Sequence, residues 1–249
     1  MLVANPHGDY HFLPGSEPYS SGVVADPGFE IVHVTLLQPP PYQAGFDFIA
    51  EHLRGVGRPR AALCGVELRS PAPFTRDGFL QFNEGYQALL REWNLLVDGQ
   101  NPVARTNVAP EWNPPSEPAL FGFSYTAPVE GDVRPTYVVA GAGELRGGTI
   151  GAASVIRPGE TSADAMREKA AYVMKVMHRR LTGLGQGWES VTAVNVYTAQ
   201  AMDAVLGSAV LDIIGPATGR GVCWYHARPP IAELEYEMDL RGVRTERHL

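Results

Sequence analysis

Apolar residues along this chain recur at two spacings, every second position and every third or fourth, and segments of the two kinds follow one another in a fixed order. In the first half, FEIVHVTLL (29–37) predicts a strand and QAGFDFIAEHLRGVG (43–57) a helix closed by glycine. RAALCGVELRS (60–70) predicts a strand, and RDGFLQFNEGYQALLREW (76–93) a helix whose apolar stripe is Phe79, Phe82, Tyr86 and Leu89 or Leu90. VARTNVAP (103–110) and ALFGFSYTA (119–127) predict two further strands across a proline-rich turn. The second half repeats that order. TYVVAGAG (136–143) reads as a strand, and Thr161 with Asp164 as the cap of a long helix. Its stripe is Met166, Ala170, Val173, Met177 and Leu181, and Gly183, Gly185 and Gly187 stop it. SVTAVNVYT (190–198) is a β-branched strand and AMDAVLGSAVLDIIG (201–215) a second helix.

The last segment, GRGVCWYHARPPIAELEYEMDLRG (219–242), predicts a hairpin broken at Pro229 and Pro230. In its first arm Arg220, Val222, Trp224 and His226 share a face. In its second, Glu233, Glu235, Glu237 and Asp239 share one face, and Leu234, Tyr236, Met238 and Leu240 the other. Most of that acidic row is expected to be a solvated face, with something positive set against it.

Each half therefore runs strand, helix, strand, helix, strand, strand, which we read as a structural tandem duplication. Arg105 precedes Phe121 by 16 positions and Arg220 precedes Glu235 by 15, so each half opens its penultimate strand on an arginine at nearly the same distance from its last strand. The stretch PVEGDVRP (128–135) reads as the linker, giving domains at 1–128 and 136–249. The predicted fold class is α+β: two tandem domains, each a mixed β-sheet with two helices packed on one face. The other sheet face needs a cover, expected from another copy.

Composition narrows the function. A net charge of −7 with scattered basic residues opposes a nucleic-acid surface. No run of about 18 apolar residues exists to span a bilayer, and the N-terminus lacks the pattern of a signal peptide, so a soluble cytoplasmic protein is expected. The two cysteines, Cys64 and Cys223, fall in strands without Cys or His at ligand spacing, which reads as buried thiols rather than a disulfide or a zinc site. His33 and His226 read as satisfied strand histidines, and GAGELRGG (141–148) follows a strand without directly opening a helix, so it is not a phosphate loop. No metal or organic cofactor is called for.

Several short motifs together resemble the RidA/YjgF superfamily of trimeric imine deaminases, over nearly the whole chain twice. FLQFNEGY (79–86) with Asn83 is similar to the second-helix motif of that family, and PVARTNV (102–108) with Arg105 to its arginine strand. EPYSSGV (17–23) with Tyr19 is similar to its early motif, GRGVCW (219–224) places an arginine at Arg220, and LEYEM (234–238) is similar to its closing strand, with Glu235 and Glu237. Ala140 stands where relatives carry a small hydroxyl residue, and Leu206 roughly where the asparagine of the second half belongs.

The resemblance implies a homotrimer-like ring with clefts between adjacent domains, an arginine gripping a substrate carboxylate and a glutamate holding the attacking water. Those residue types suit the tasks, since a guanidinium binds carboxylate bidentately and a carboxylate orients water and takes its proton. The glutamate position of the first half holds Leu120 or Phe121. The expected catalytic pair is thus Arg220 with Glu235, and Arg105, Asn83, Tyr19, Ala140 and Cys223 are expected to contact substrate, the first three from across an interface. The implied function is hydrolytic deamination of an imine or enamine of a small or medium carboxylic acid, of the 2-aminoacrylate or 2-aminomuconate kind. The alternatives are a chorismatase-like hydrolase or lyase, and a non-catalytic trimer that binds small carboxylates.

Overall fold

The computed structural model describes residues 1–131, 133–148 and 154–249, which leaves Asp132 of the expected linker outside the described residues. Among the described residues thirteen strands form two sheets. In chain order they are β1 (Val3–Asn5), β2 (Tyr10–Leu13), β3 (Gly22–Ala25), β4 (Phe29–Thr35), β5 (Leu63–Arg69), β6 (Ala104–Pro110), β7 (Ala119–Pro128), β8 (Tyr137–Gly143), β9 (Ala193–Tyr197), β10 (Cys223–Tyr225), β11 (Ala227–Arg228), β12 (Glu237–Gly242) and β13 (Thr245–His248). The long helices are α1 (Tyr42–Gly55), α2 (Arg76–Glu92) and α3 (Ala163–Gly183). One sheet has the order β11-β6-β5-β7-β4-β13, the other β1-β2-β3-β8-β12-β9-β10.

Two helix stripes cover the outer faces. On α1 and α2, Phe46, Ile49, Leu53, Tyr86 and Leu90 pack on Val32, Val34, Leu68 and Phe123 of the first sheet. On α3, the predicted stripe from Met166 to Leu181 packs on Val139, Val196, Met238 and Leu240 of the second. The α3 N-cap is Ser162, whose hydroxyl accepts from the Ala165 N–H, one residue past the expected Thr161.

The uncovered faces of the two sheets meet each other within the chain. Tyr10, Phe12 and Val23 from one sheet pack with Ile31, Cys64 and Ala104 from the other, and the Tyr10 hydroxyl donates to Leu63 O at 3.0 Å. The cover expected from another copy is thus the second half of the same chain, in a helix, sheet, sheet, helix sandwich. The halves also exchange strands. β1 to β3 extend the second sheet through β3 against β8, while β13 lies parallel to β4 at the edge of the first and β11 pairs with β6.

The carboxyl-terminal segment departs from expectation in three ways. β10 lies parallel to β9, and β12 lies antiparallel between β8 and β9, so the two arms are not a hairpin. Residues 201–215 are not a regular helix: Leu206–Leu211 makes a π turn, Asp212–Ile214 one short helical segment, and Gly215–Arg220 a 3-10 turn. Arg220 consequently precedes the strand instead of lying on it, because Gly221 at φ +78° turns the chain first. Of the acidic row, Glu233 is partly exposed, whereas Glu235, Glu237 and Asp239 are buried. Glu237 and Asp239 are each 4 % exposed, since the face of β12 opposite Met238 and Leu240 looks into the seam between the sheets.

Candidate active site

Residues of both halves meet on a cleft of about 640 Å³. Asn83 on α2 and Arg105 on β6 form one wall. Gly141 on β8, Arg180 on α3 and Glu237 at the start of β12 form the opposite one, and Tyr19 lies on a loop at the side.

Arg105 is buried among aromatic rings, with its guanidinium carbon 4.8 Å from the Tyr19 centroid and 4.7 Å from that of Tyr86. Phe79 and Phe82 complete the surround at 5.6 and 5.8 Å. The aromatic stripe of α2 therefore serves as core on one flank and as a cation-holding box on the other. Arg105 Nη2 donates to Asn83 Oδ1 at 2.7 Å, whereas Nη1 is buried with no partner among the described residues. Asn107 shows the same pattern: its Oδ1 accepts from Ser70 Oγ at 2.9 Å and its Nδ2, beside the cleft, has none. An orphaned buried donor costs about 1–3 kcal/mol, more for a charged group, and an anionic ligand would remove that cost.

Across the cleft, burial holds the Glu237 carboxyl well above the usual carboxylate range. The neighbouring Asp239 raises it further, and Arg180 and Arg105 act in the opposite direction. Asp239 sits on a register shift of β12 and accepts from Asn195 Nδ2 at 2.8 Å and the Tyr197 hydroxyl at 2.9 Å. Arg180 Nη1 donates to the carbonyl oxygens of Ala140 at 2.8 Å and Gly141 at 3.1 Å. Gly141 leaves the Glu237 carboxyl its room, because any Cβ there would overlap Glu237 Oε1.

Of the residues expected at the site, Arg105, Asn83 and Tyr19 come together in this cleft, and Ala140 lies next to it, fully buried, with its carbonyl on Arg180. Glu235 and Arg220 do not line it. The Glu235 carboxylate is taken by Arg228 Nη2 at 2.9 Å and Gln200 Nε2 at 3.0 Å. Arg220 is exposed on its 3-10 turn, with no carboxylate within ion-pair distance among the described residues. Cys223 is exposed at the edge strand β10, not buried, whereas Cys64 is buried as expected. His33 is a satisfied core histidine on Ser124 Oγ at 3.0 Å, its pKa lowered by burial to about 3; His226 is exposed.

Sequence reasoning missed Arg180, Asn107 and Gly141. The signal for Arg180 was its place beside Leu181 on the α3 stripe, where a solvent-facing arginine would be out of register.

A family model described as 2-aminomuconate deaminase CnbZ matches residues 2–247. The chain belongs to this family. A 2-amino-5-chloromuconate deaminase of Comamonas testosteroni is 40 % identical over 247 residues, covering 98 % of this chain and 97 % of that protein. Among solved structures, a chorismatase is similar over 97 % of this chain and 79 % of its own, with a TM-score of 0.50 at 12 % identity. The YjgF gene product of E. coli matches 44 % of this chain and 80 % of its own, at 14 % identity and a TM-score of 0.30. The chorismatase likeness is one of fold alone. Membership of the 2-aminomuconate deaminase family makes the chain an enzyme of deaminase type. Among the described residues no helix is long and apolar enough to cross a membrane, and no three His, Cys, Asp or Glu side chains cluster as metal ligands.

Proposed function

We propose that this cleft hydrolyses the enamine or imine of an unsaturated carboxylic acid of the 2-aminomuconate kind, releasing ammonia. One observation carries the reading: a buried guanidinium with an unpartnered N–H shares a cleft with a buried carboxyl, whose protonated form burial favours. The family membership and the 40 % identical aminochloromuconate deaminase support the substrate class. The cavity volume lies within the roughly 300–1,000 Å³ common for small-molecule sites.

In this reading Arg105 and Asn107 bind a substrate carboxylate, with Asn83 fixing the guanidinium plane. Protonated Glu237 gives its proton to the enamine carbon, which leaves an iminium at the carbon bearing nitrogen. The carboxylate so formed takes a proton from water as its oxygen bonds to that carbon, giving a carbinolamine. Glu237 then protonates the amino nitrogen, the C–N bond breaks with its electrons on nitrogen, and ammonia leaves. The new carbonyl oxygen returns its proton to Glu237, so the enzyme ends as it began.

The test is ammonia release from enzymatically generated 2-aminomuconate, with kcat and KM across pH. Because the starting form is the protonated acid, kcat/KM should fall as pH rises through the elevated pKa of Glu237. Glu237→Gln should lose about 100-fold or more in kcat, the lower end of typical general acid–base contributions. Full turnover in Glu237→Gln would exclude the proposal.

A further inference from the structure

Two fully buried ionisable side chains have no part in the chemistry above. Lys169 on α3 and Glu144, the residue after β8, are both 0 % exposed, and Lys169 Nζ donates to Glu144 Oε1 at 3.1 Å and to Ile156 O at 2.8 Å. The Glu144 carboxylate is also occupied from the other side. Its Oε1 accepts from the N–H of Glu235 at 2.7 Å and its Oε2 from the N–H of Tyr236 at 3.1 Å.

Those two amides immediately precede Glu237, where the ladder between β12 and β8 begins with Glu237 opposite Gly143. Beyond that pair the strands have separated, and the Glu144 side chain takes the place of a strand partner for two buried amides. A buried ion pair is a poor device for stability alone, because apolar residues of the same volume usually serve as well. Here both carboxylate oxygens hold the backbone one and two residues from the acid of the cleft.

We infer that Glu144, held by Lys169, is a positioning residue that fixes the approach to β12 and so aims the Glu237 carboxyl into the cleft. The inference rests on the reading of Glu237 given above. Among the described residues, the charges that act most on Glu237 are Asp239 on its own strand, Arg180 from α3, Glu144 from the end of β8 and Arg105 from β6. The Glu144 charge acts to raise the Glu237 proton affinity, so its removal should show in the pH profile as well as in the rate.

The experiment compares full-length wild type, Glu144→Gln, the double variant Glu144→Gln/Lys169→Met, and Glu237→Gln, by kcat, KM, pH profile and thermal stability. Glutamine can accept from only one of the two amides and sets its NH₂ against the other. Glu144→Gln should lose about 10- to 100-fold in kcat, the scale of a displacement near 1 Å, with KM changed less than about twofold. Its pH limb should move to lower pH. The double variant, with no unpaired buried charge, should recover the thermal stability lost by Glu144→Gln but not its kcat or its pH limb. A double variant with wild-type kcat and pH limb would overturn the inference, as would an unimpaired Glu144→Gln beside an inactive Glu237→Gln. An active Glu237→Gln would instead remove the underlying reading of the site.

Discussion

At the scale of single residues the cleft depends on a guanidinium kept dry. Arg105 is 3 % exposed, boxed by Tyr19, Phe79, Phe82 and Tyr86, and tethered by Asn83. In the proposed mechanism Arg105→Ala removes the charge-assisted contact to the substrate carboxylate, worth about 1.5–3 kcal/mol. A loss of about 10- to 150-fold in kcat/KM is expected. Arg105→Lys should rescue little, since an ammonium has neither the planar fork nor the stacking surface. Arg220→Ala, at an exposed position outside the cleft, should keep kcat/KM within about twofold, measured in the same ammonia assay. Arg105, Asn83 and Tyr19 were legible in the chain because their motifs are local. The choice between Glu235 and Glu237 was not, because alternation puts both on one face. Only the late start of β12 at Glu237 turns Glu235 away toward Arg228.

At the scale of elements, one wall of the site lies where β8, β12 and α3 come together. Arg180 reaches from α3 to the carbonyl oxygens of Ala140 and Gly141, and Gly141 in turn leaves room for the Glu237 carboxyl. Gly141→Ala should therefore move the carboxyl rather than the strand, whose backbone pairing is untouched. The expected outcome is a loss of about 10-fold or more in kcat with a circular dichroism spectrum like that of the parent. A fully active Gly141→Ala would show that the carboxyl has slack. The periodicity of α2 and α3 gave their buried faces directly, since a stripe of four apolar residues on α2 and of five on α3 dominates its window. Residues 201–220 carry a similar apolar count yet break into π, α and 3-10 turns, with Gly207, Gly215 and Gly219 among them. Tertiary packing of Val205, Ala209, Val210 and Ile214 into the core of the second half overrides the helical period there.

At the scale of the whole molecule, the two sheets close on each other and exchange strands. β3 is the hydrogen-bonded neighbour of β8, and β13 that of β4, so each half supplies an edge of the sheet of the other. Segments 1–128 and 136–249 expressed separately should each fail to give a cooperative thermal transition, and mixing them should restore one along with deaminase activity. Cooperative unfolding of either segment alone would show that the exchanged strands are dispensable. The seam between the sheets also carries ionised groups, with Glu67 3.8 Å from Arg241 and Arg241 3.0 Å from Glu246 on β13. The acidic face that alternation marks as polar is thus met by the arginine of its own strand and by the polar layer of the facing sheet.

The sequence by itself determined the three long helices and the strands that alternate with them, the α+β class, and the arginine, asparagine and tyrosine of one wall, because each of these is written in spacings of a few residues. The tertiary structure alone decided that the two walls belong to different halves, that Glu237 faces Arg105, and that the acidic strand is buried. Those depend on which sheet faces lose water to each other, and burial between segments more than a hundred residues apart leaves no period in the chain to read.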